Sequence, residues 1–429
     1  MNERVAILTT FQEFNPSYSL TGIVKDQVAM LLKYGHHVNL YVAENFSGGA
    51  SLPSEWQSNP LFALKPEIPH YHLTDYFSIK DIPEYLPTLA IEWADRLRPS
   101  IEESDIVLTH DFIFTGWFLP YAMMVRELSK PDHMKRVKWL HWIHSVPSGR
   151  RDWWSIREYG GTHKIAYPNA SDALLVAEQF RGILQDVRVI PHIKDMRTWF
   201  DFDPETCSFI EQYPAVMQSS FVQILPASAD RMSAKRVDDV IRIFGNLKSA
   251  GFSVCLVIAN QWATTVRWKE DIAEYRHVAN LCNLTPDEVI FTSEYKAPTF
   301  ETGLPKRMLR ELFQLSNLFI FPTREESFGL VVPEAALSGG VLLVLNRSLQ
   351  QQIEISGMTG LYFNFGSFHQ EVHIPNIDQY LSDIAKIIVG RFRENESILA
   401  KTFMRQHYNM DRLYNRVYAP IFGESALWE

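Results

Sequence analysis

Cysteine is scarce: 429 residues carry only Cys207, Cys255 and Cys282. They form no C-x-x-C pair and no even set, which excludes a disulfide scaffold and a zinc ribbon and points to a reducing compartment. Long apolar runs are also missing. The longest candidate, 113–125, is broken by Gly116, Pro120 and Tyr121, so no helix that crosses a membrane is expected. The apolar run near the N-terminus covers only 5–8, too short for a signal-peptide core, and a cytoplasmic location is the expectation. An excess of positive charge is absent too. Lys and Arg number 41 against 50 Asp and Glu, a net charge of -9, which disfavours a basic coat for nucleic acid while leaving room for a local basic groove. No G-x-G-x-x-G follows a strand-like segment, which argues against a nicotinamide dehydrogenase. No repeat and no low-complexity tract interrupts the chain.

The material that is present suits a globular protein. Hydrophobic residues make up 46% and charged residues 21%, enough apolar surface to exclude disorder. The length fits ~2–3 domains. The first forty residues read as a β-loop-α-β unit: a buried strand at 5–8, a polar loop from Thr9 to Leu20, then Val24, Val28, Leu31 and Leu32 at helical spacing. Gly35 stands where a helix ends, and 38–42 is the next strand. Segments 105–109 (DIVLT), 137–140, 173–177 (ALLVA) and 187–190 continue as expected strands. The stretch 197–214, rich in acids and with Pro204 and Pro214, reads as an interdomain linker. A second series follows, with strands at 221–225, 253–259, 289–292, 318–321 and 341–345 and a helix carrying Val237, Val240, Ile241, Phe244 and Leu247. Strands alternating with helices imply parallel sheets with right-handed crossovers. The expectation is an α/β protein of two doubly wound domains facing a cleft, with ligands beyond the carboxyl ends of the strands.

The sharpest chemistry lies in 321–336, FPTREESFGLVVPEAA. A buried strand ends at Pro322, a turn carries Glu326, Gly329 permits close backbone approach, and a helix then begins with Glu334 in its early turns. Unpaired N–H groups at that helix start favour an anion such as phosphate. Carboxylates on either side accept hydrogen bonds from hydroxyls. A polyhydroxylated ligand carrying phosphate fits this pattern.

Glu326 and Glu334, separated by seven residues within ESFGL…EA, resemble the E-x7-E motif of retaining GT-B glycosyltransferases of the GT4 type. Tyr34-Gly35-His36-His37-Val38 is similar to the family's G-H-x-V. Val189-Ile190-Pro191-His192-Ile193-Lys194-Asp195 is similar to its V-I-P-N-G-V-D, with His192 in place of Asn. Asp230-Arg231-Met232-Ser233-Ala234-Lys235-Arg236-Val237-Asp238 is similar to R…K-G-x-D, and 338–344 to A-S-G-x-P-V-V. The resemblance covers most of 3–45, 170–195 and 220–365.

It implies a GT-B fold: two Rossmann-like domains, 1–200 on the acceptor side and 215–404 on the donor side, with a C-terminal helix near 405–429 crossing back. It implies retaining transfer of a sugar from a nucleoside diphosphate, UDP by default, to an acceptor hydroxyl, with no cofactor and no metal required. Glu326 would hold donor-sugar hydroxyls and Glu334 the ribose. Backbone N–H groups of Phe328, Gly329 and Leu330 would face sugar and diphosphate. Arg231 and Lys235 would neutralise the leaving diphosphate. Gly22 would match the one retained glycine of the N-terminal glycine loop, and His144 the histidine that faces the reacting sugar. The triplet Asp201-Phe202-Asp203 looks like a DxD metal motif but falls in the expected linker. For the acceptor, the segment from Trp139 to Lys164 offers Trp153, Arg150 and Arg151 beside Trp139, Trp142 and Trp154. It reads either as a stacking platform or as a core strand with a surface helix. Acceptor classes are a glycan or small molecule, or a hydroxymethylated DNA base, which the acidity disfavours. Rival readings on the same fold are a sugar-nucleotide epimerase and a non-catalytic nucleotide-sugar-binding protein.

Overall fold

The computed structural model describes residues 2–424, 427 and 428, except 50, 51, 73, 75, 115, 117, 131–136, 150–153 and 161. The chain divides into two compact units. Unit 1 holds Met1–Lys194 and Met410–Glu429, and unit 2 holds Asp195–Asn409. Both are Rossmann-like α/β units, as the alternating pattern of the sequence requires.

Unit 1 carries β1 (Arg4–Leu8), β2 (His37–Ala43), β3 (Phe62–Ile68), β4 (Ile106–His110), β5 (Lys138–Trp142), β6 (His163–Tyr167) and β7 (Val187–Val189). They form one sheet in the order β3-β2-β1-β4-β5-β6-β7. Every pairing is parallel. The order reverses between β1 and β4, so the switch point lies at Thr9 and His110–Asp111, where a doubly wound sheet presents ligands. Helix Ser19–Lys33 buries Val24, Val28 and Leu31 on the sheet, and Gly35 closes its end at φ +79°. Residues after 409 complete this core: Met410, Leu413, Tyr418, Ile421 and Phe422 pack with Val5, Ile7 and Val28. Tyr414 stacks on Tyr34 at 3.6 Å, and Tyr34 donates to Asp411 at 2.8 Å.

Unit 2 carries β8 (Phe221–Pro226), β9 (Val254–Ala259), β10 (Val289–Phe291), β11 (Leu318–Phe321), β12 (Leu342–Asn346) and β13 (Leu361–Phe363). Two parallel ladders form, β10-β9-β8 and β11-β12-β13. Side chains stitch them together. Buried Gln223 of β8 donates to Ile320 O at 2.9 Å and accepts Ile320 N–H at 2.8 Å. Asn317 accepts Val222 N–H at 2.9 Å, and its own N–H donates to Val222 O at 3.0 Å. An unmet amide here would cost ~1–3 kcal/mol, so the primary amides replace ladder bonds along this seam. The seam between β8 and β11 is the switch point of unit 2.

Two expected features differ, and two strands of unit 1 were not expected. Residues 173–177 are not a strand but part of helix Ala173–Gln179. Ala173, Val176 and Ala177 are buried while Leu174 and Leu175 are exposed, a 3.6-residue period hidden in a short apolar run. Residues 197–214 are not a linker. They form helices Met196–Trp199 and Pro204–Gln212, capped by Asp195 and Asp203 at 2.8 and 2.9 Å. Asp203, Pro204 and Glu205 are helix-start residues, and Phe209 and Ile210 enter the core of unit 2. Two strands of unit 1 lacked a signal. β3 is a half-buried edge with Pro66, and β6 opens on the buried polar pair His163 and Lys164.

Candidate functional site

Two loops meet at the seam of unit 2. The first leaves β8 and carries Arg231 and Lys235 into helix Val237–Ser249, with Arg236 in left-handed backbone at φ +53°. The second leaves β11 and carries 322–330. Arg324 N–H donates to Ala234 O at 2.8 Å, tying one loop to the other. Thr323 Oγ1 donates to Glu325 O at 2.7 Å. Fully buried Asn346 donates to Thr323 O at 2.8 Å and Gly366 O at 2.7 Å, while its Oδ1 accepts the N–H groups of Ser348 and Phe365 at 3.0 and 3.1 Å. One amide therefore fixes three segments, a role with no signature in the linear sequence.

Within this frame Lys235 forms an ion pair with Glu326, and both side chains are largely shielded from water. The ammonium also lies 4.8 Å from the Phe321 ring centroid, where the ring quadrupole favours a cation. Arg231 pairs with Glu325 in a more exposed setting. Gln351 donates to Glu326 O. Gly329 has φ +83°, and a Cβ there would lie 3.1 Å from Glu326 Cγ. Glycine is needed at that position for both reasons. Helix Val331–Leu337 follows, and Leu330 caps it without a side-chain hydrogen bond. Phe328 and Leu330 are exposed. Glu334 stands apart from the Lys235–Glu326 pair, on a cavity of about 570 Å³ lined by Lys306, Leu309, Phe313 and Leu337. Lys306 Nζ is 3.6 Å from its carboxylate. Unit 2 thus brings Arg231, Lys235, Glu326 and Gly329 together, with Glu334 on the adjoining helix.

Unit 1 places His144 just beyond β5, in a stack of rings at the carboxyl ends of the strands. His144 lies 5.1 Å from His110 and 5.2 Å from His192, with Trp142 at 5.4 Å. The proton positions turn on the orientation of one amide, Gln27, because Tyr418 OH can donate or accept. With Gln27 Nε2 facing Tyr418 OH at 3.2 Å, its Oε1 faces His110 Nε2 at 3.0 Å and accepts from it. His110 Nδ1 is then an acceptor, and His144 Nε2 donates to it at 2.8 Å. His144 Nδ1 keeps a lone pair that is buried and has no partner among the described residues. Burial, with the neighbouring histidines adding to it, pushes the His144 pKa down to about 2. Burial likewise takes His110 to about 3. The backbone N–H of His144 donates to Asp111 Oδ1 at 2.9 Å. Burial raises Asp111 to about 6, against that hydrogen bond.

Gly22 lies in the first turn of helix Ser19–Lys33, and a Cβ there would meet nothing within 4 Å. Packing does not demand glycine at this position. Trp153, Arg150 and Arg151 lie outside the described residues. Trp139 and Trp142 are buried within β5, so they belong to the core and offer no exposed platform. Trp154 is covered by Arg126 at 4.3 Å. Asp203 of the DxD-like triplet is the helix cap described above. Gln27, Asp111, Asn346 and Gln351 were not singled out from sequence. Asp111 alone had a local signal, its place directly after a strand beside His110.

No family model matches the chain, and no curated protein does. Among solved structures, a glycosyltransferase from Rickettsia africae ESF-5 is similar at 13% identity, covering 98% of both chains with a TM-score of 0.37. Anabaena Alr3699/HepE in complex with UDP and glucose is similar at 13% identity, covering 98% of this chain and 99% of that one, TM-score 0.33. The α,α-trehalose 6-phosphate synthase from Burkholderia multivorans is 12% identical, covering 100% of this chain and 95% of its own, TM-score 0.34. Likeness at this level is too distant to assign a reaction or a substrate.

Proposed function

We propose that the chain is a glycosyltransferase of the GT4 type that moves a sugar from a nucleoside diphosphate, UDP by default, to an acceptor hydroxyl with retention. One observation carries the reading. At the switch point of unit 2 a shielded Lys235–Glu326 pair sits beside a glycine with φ +83°, and Arg231 stands on the same loop as Lys235. Breaking the bond from sugar to diphosphate builds negative charge on the leaving phosphate. Two cations held in place before the reaction stabilise that charge without reorganising solvent. They supply the neutralisation that a divalent metal gives elsewhere, so the reaction should proceed in the presence of a chelator. In the free protein each cation is occupied by a carboxylate. An incoming diphosphate would draw Arg231 and Lys235 toward itself and release Glu326 to accept hydrogen bonds from sugar hydroxyls. Glu334, on the neighbouring cavity, would accept from ribose hydroxyls. In unit 1, His144 would stand near the reacting sugar as a neutral ring, since burial keeps it unprotonated at neutral pH.

The test is Glu326→Ala in a transfer assay with a panel of nucleotide sugars, read with a thermal-shift titration of the same donors. Turnover should collapse while the protein stays folded. Transfer near the wild-type rate would overturn the donor assignment. Conversion of donor without an acceptor would identify an epimerase instead, and donor binding with no turnover would identify a binding protein.

A further inference from the structure

Unit 1 carries a cavity of about 640 Å³ at the carboxyl ends of β1, β2 and β3, within the size range of small-molecule sites. Its frame is internally satisfied. Tyr121 OH donates to Pro69 O at 3.0 Å and accepts Tyr71 N–H at 3.1 Å. Gln12 Nε2 donates to His70 Nδ1 at 3.0 Å, and Gln12 O accepts Ser47 N–H at 2.8 Å. Three loops and helix Leu119–Leu128, distant in sequence, are thereby locked around one hollow. What faces the hollow is open to solvent. The side chains of Thr10, Glu13 and Asn45 make no hydrogen bond to any described residue, and neither does the imidazole of His72. Tyr18, half exposed and held edge-on by Phe11 at 6.2 Å, presents an aromatic face on the same wall. The Asp111 charge reaches the Tyr18 phenol, so this wall borders the loop that carries Asp111.

The charge of the lining is as informative as its shape. Among the described residues that line the cavity there is no lysine or arginine, and Glu13 is a carboxylate. Arg96, which also donates to Glu67 O of β3 at 3.1 Å, is engaged by Glu44 at 2.9 Å. A phosphate or sulfate placed here would meet an acid and, among the described lining residues, no lysine or arginine. An uncharged sugar meets what it needs: an aromatic face for its C–H groups, and amide, hydroxyl, imidazole and carboxylate groups that both donate to and accept from hydroxyls.

We propose that this cavity is the acceptor site and that it takes an uncharged sugar, free or at the end of a glycan. The proposal rests on the glycosyltransferase reading above and adds the class of acceptor. In the transfer, a hydroxyl oxygen of the bound sugar forms the bond to the donor's anomeric carbon as the bond from that carbon to the phosphate oxygen breaks. The hydroxyl proton leaves on the nucleoside diphosphate.

The experiment uses the full chain on an array of neutral, phosphorylated and sulfated glycans, with a single-stranded oligonucleotide in a parallel binding assay. Thermal shifts with nucleotide sugars are recorded on the same samples. The expected result is binding of neutral glycans alone. Tyr18→Ala and Asn45→Lys should each weaken it about tenfold or more, with donor-induced shifts unchanged. Both positions are exposed, and an unaltered melting point certifies that the variants fold. Selective binding of phosphorylated or sulfated glycans or of the oligonucleotide overturns the proposal. So does binding of no glycan, or neutral binding that survives both substitutions. Glycan binding lost in the variants, in a protein that no nucleotide sugar stabilises, leaves a sugar-binding cavity and overturns the transferase reading instead.

Discussion

Gly329→Ala separates backbone strain from site chemistry. In the wild-type protein φ at this residue is +83°, a region that costs an alanine roughly 1–2 kcal/mol. The added Cβ would also stand 3.1 Å from Glu326 Cγ, so the glutamate must yield by a few tenths of an ångström. Its carboxylate is held by Lys235 and its carbonyl by Gln351, so the shift passes into the pair. Strain of that size should lower the melting temperature of unit 2 by ~2–8 °C, at ~2–4 °C per kcal/mol for a unit of this size. Displacement of a positioned group by ~1 Å costs about a hundredfold in rate, so a fraction of that shift should cost on the order of tenfold. Differential scanning fluorimetry with and without nucleotide sugar, together with a transfer assay, reads both effects. An unchanged melting point would refute the backbone argument. A lowered melting point with full transfer activity would refute the placement of Glu326 in the donor site.

Gly22→Ala should do the opposite to stability. It lies in a helix with open space before it, so alanine should stabilise unit 1 by ~0.5–1 kcal/mol in urea unfolding, and destabilisation would refute this. Arg405→Met should cost about 1–3 kcal/mol, because it leaves buried carbonyls without a donor. The buried guanidinium donates to the carbonyls of Val216, Met217 and Ser219 at 2.9, 2.8 and 2.7 Å. Burial lowers its pKa only to about 10, so it is charged at neutral pH. A loss under 1 kcal/mol in urea unfolding of unit 2 would contradict this. Unit 1 should be acid-labile. Burial depresses His110 and His141 to about 3 and also lowers His163, in a chain where Thr109 meets His141 at 2.8 Å and His141 meets His163 at 2.9 Å. These rings stay neutral when folded but take up protons near pH 6.5 when unfolded. Their contribution is complete above that pH and lost as pH falls toward 3, at up to ~1.4 kcal/mol per pH unit for each ring. A melting profile of unit 1 that is flat from pH 7 to 4 would refute it.

The segment 321–336 was legible as strand, turn and helix because its pattern is local. Strand, turn, glycine and helix follow one another from 321 to 336, and the spacing alone puts Glu326 and Glu334 on one segment. The cavity of unit 1 was not, because Thr10, Asn45 and His72 come from three loops and Tyr121 from helix Leu119–Leu128, which only the strand order brings together. Gln223 and Asn346 were invisible for a related reason. Each spends its amide on backbone groups far along the chain, and a buried amide inside an apolar strand looks like an interruption. The misread helix at 173–177 and the misread linker show the limits of short apolar runs and of proline and acid counts. Both patterns have two structural solutions, and burial chooses between them.

Because Met410, Leu413, Tyr418, Ile421 and Phe422 complete the core around β1, the two units cannot mature in the order in which they are made. During synthesis the whole of unit 2 is made while unit 1 still lacks the segment that seals it. The early-synthesised half must therefore wait, its apolar face around Val5 and Val28 uncovered, until translation has moved past Asn409. A stop codon placed just after that residue would leave unit 2 whole and expose unit 1 to proteolysis and chaperone capture.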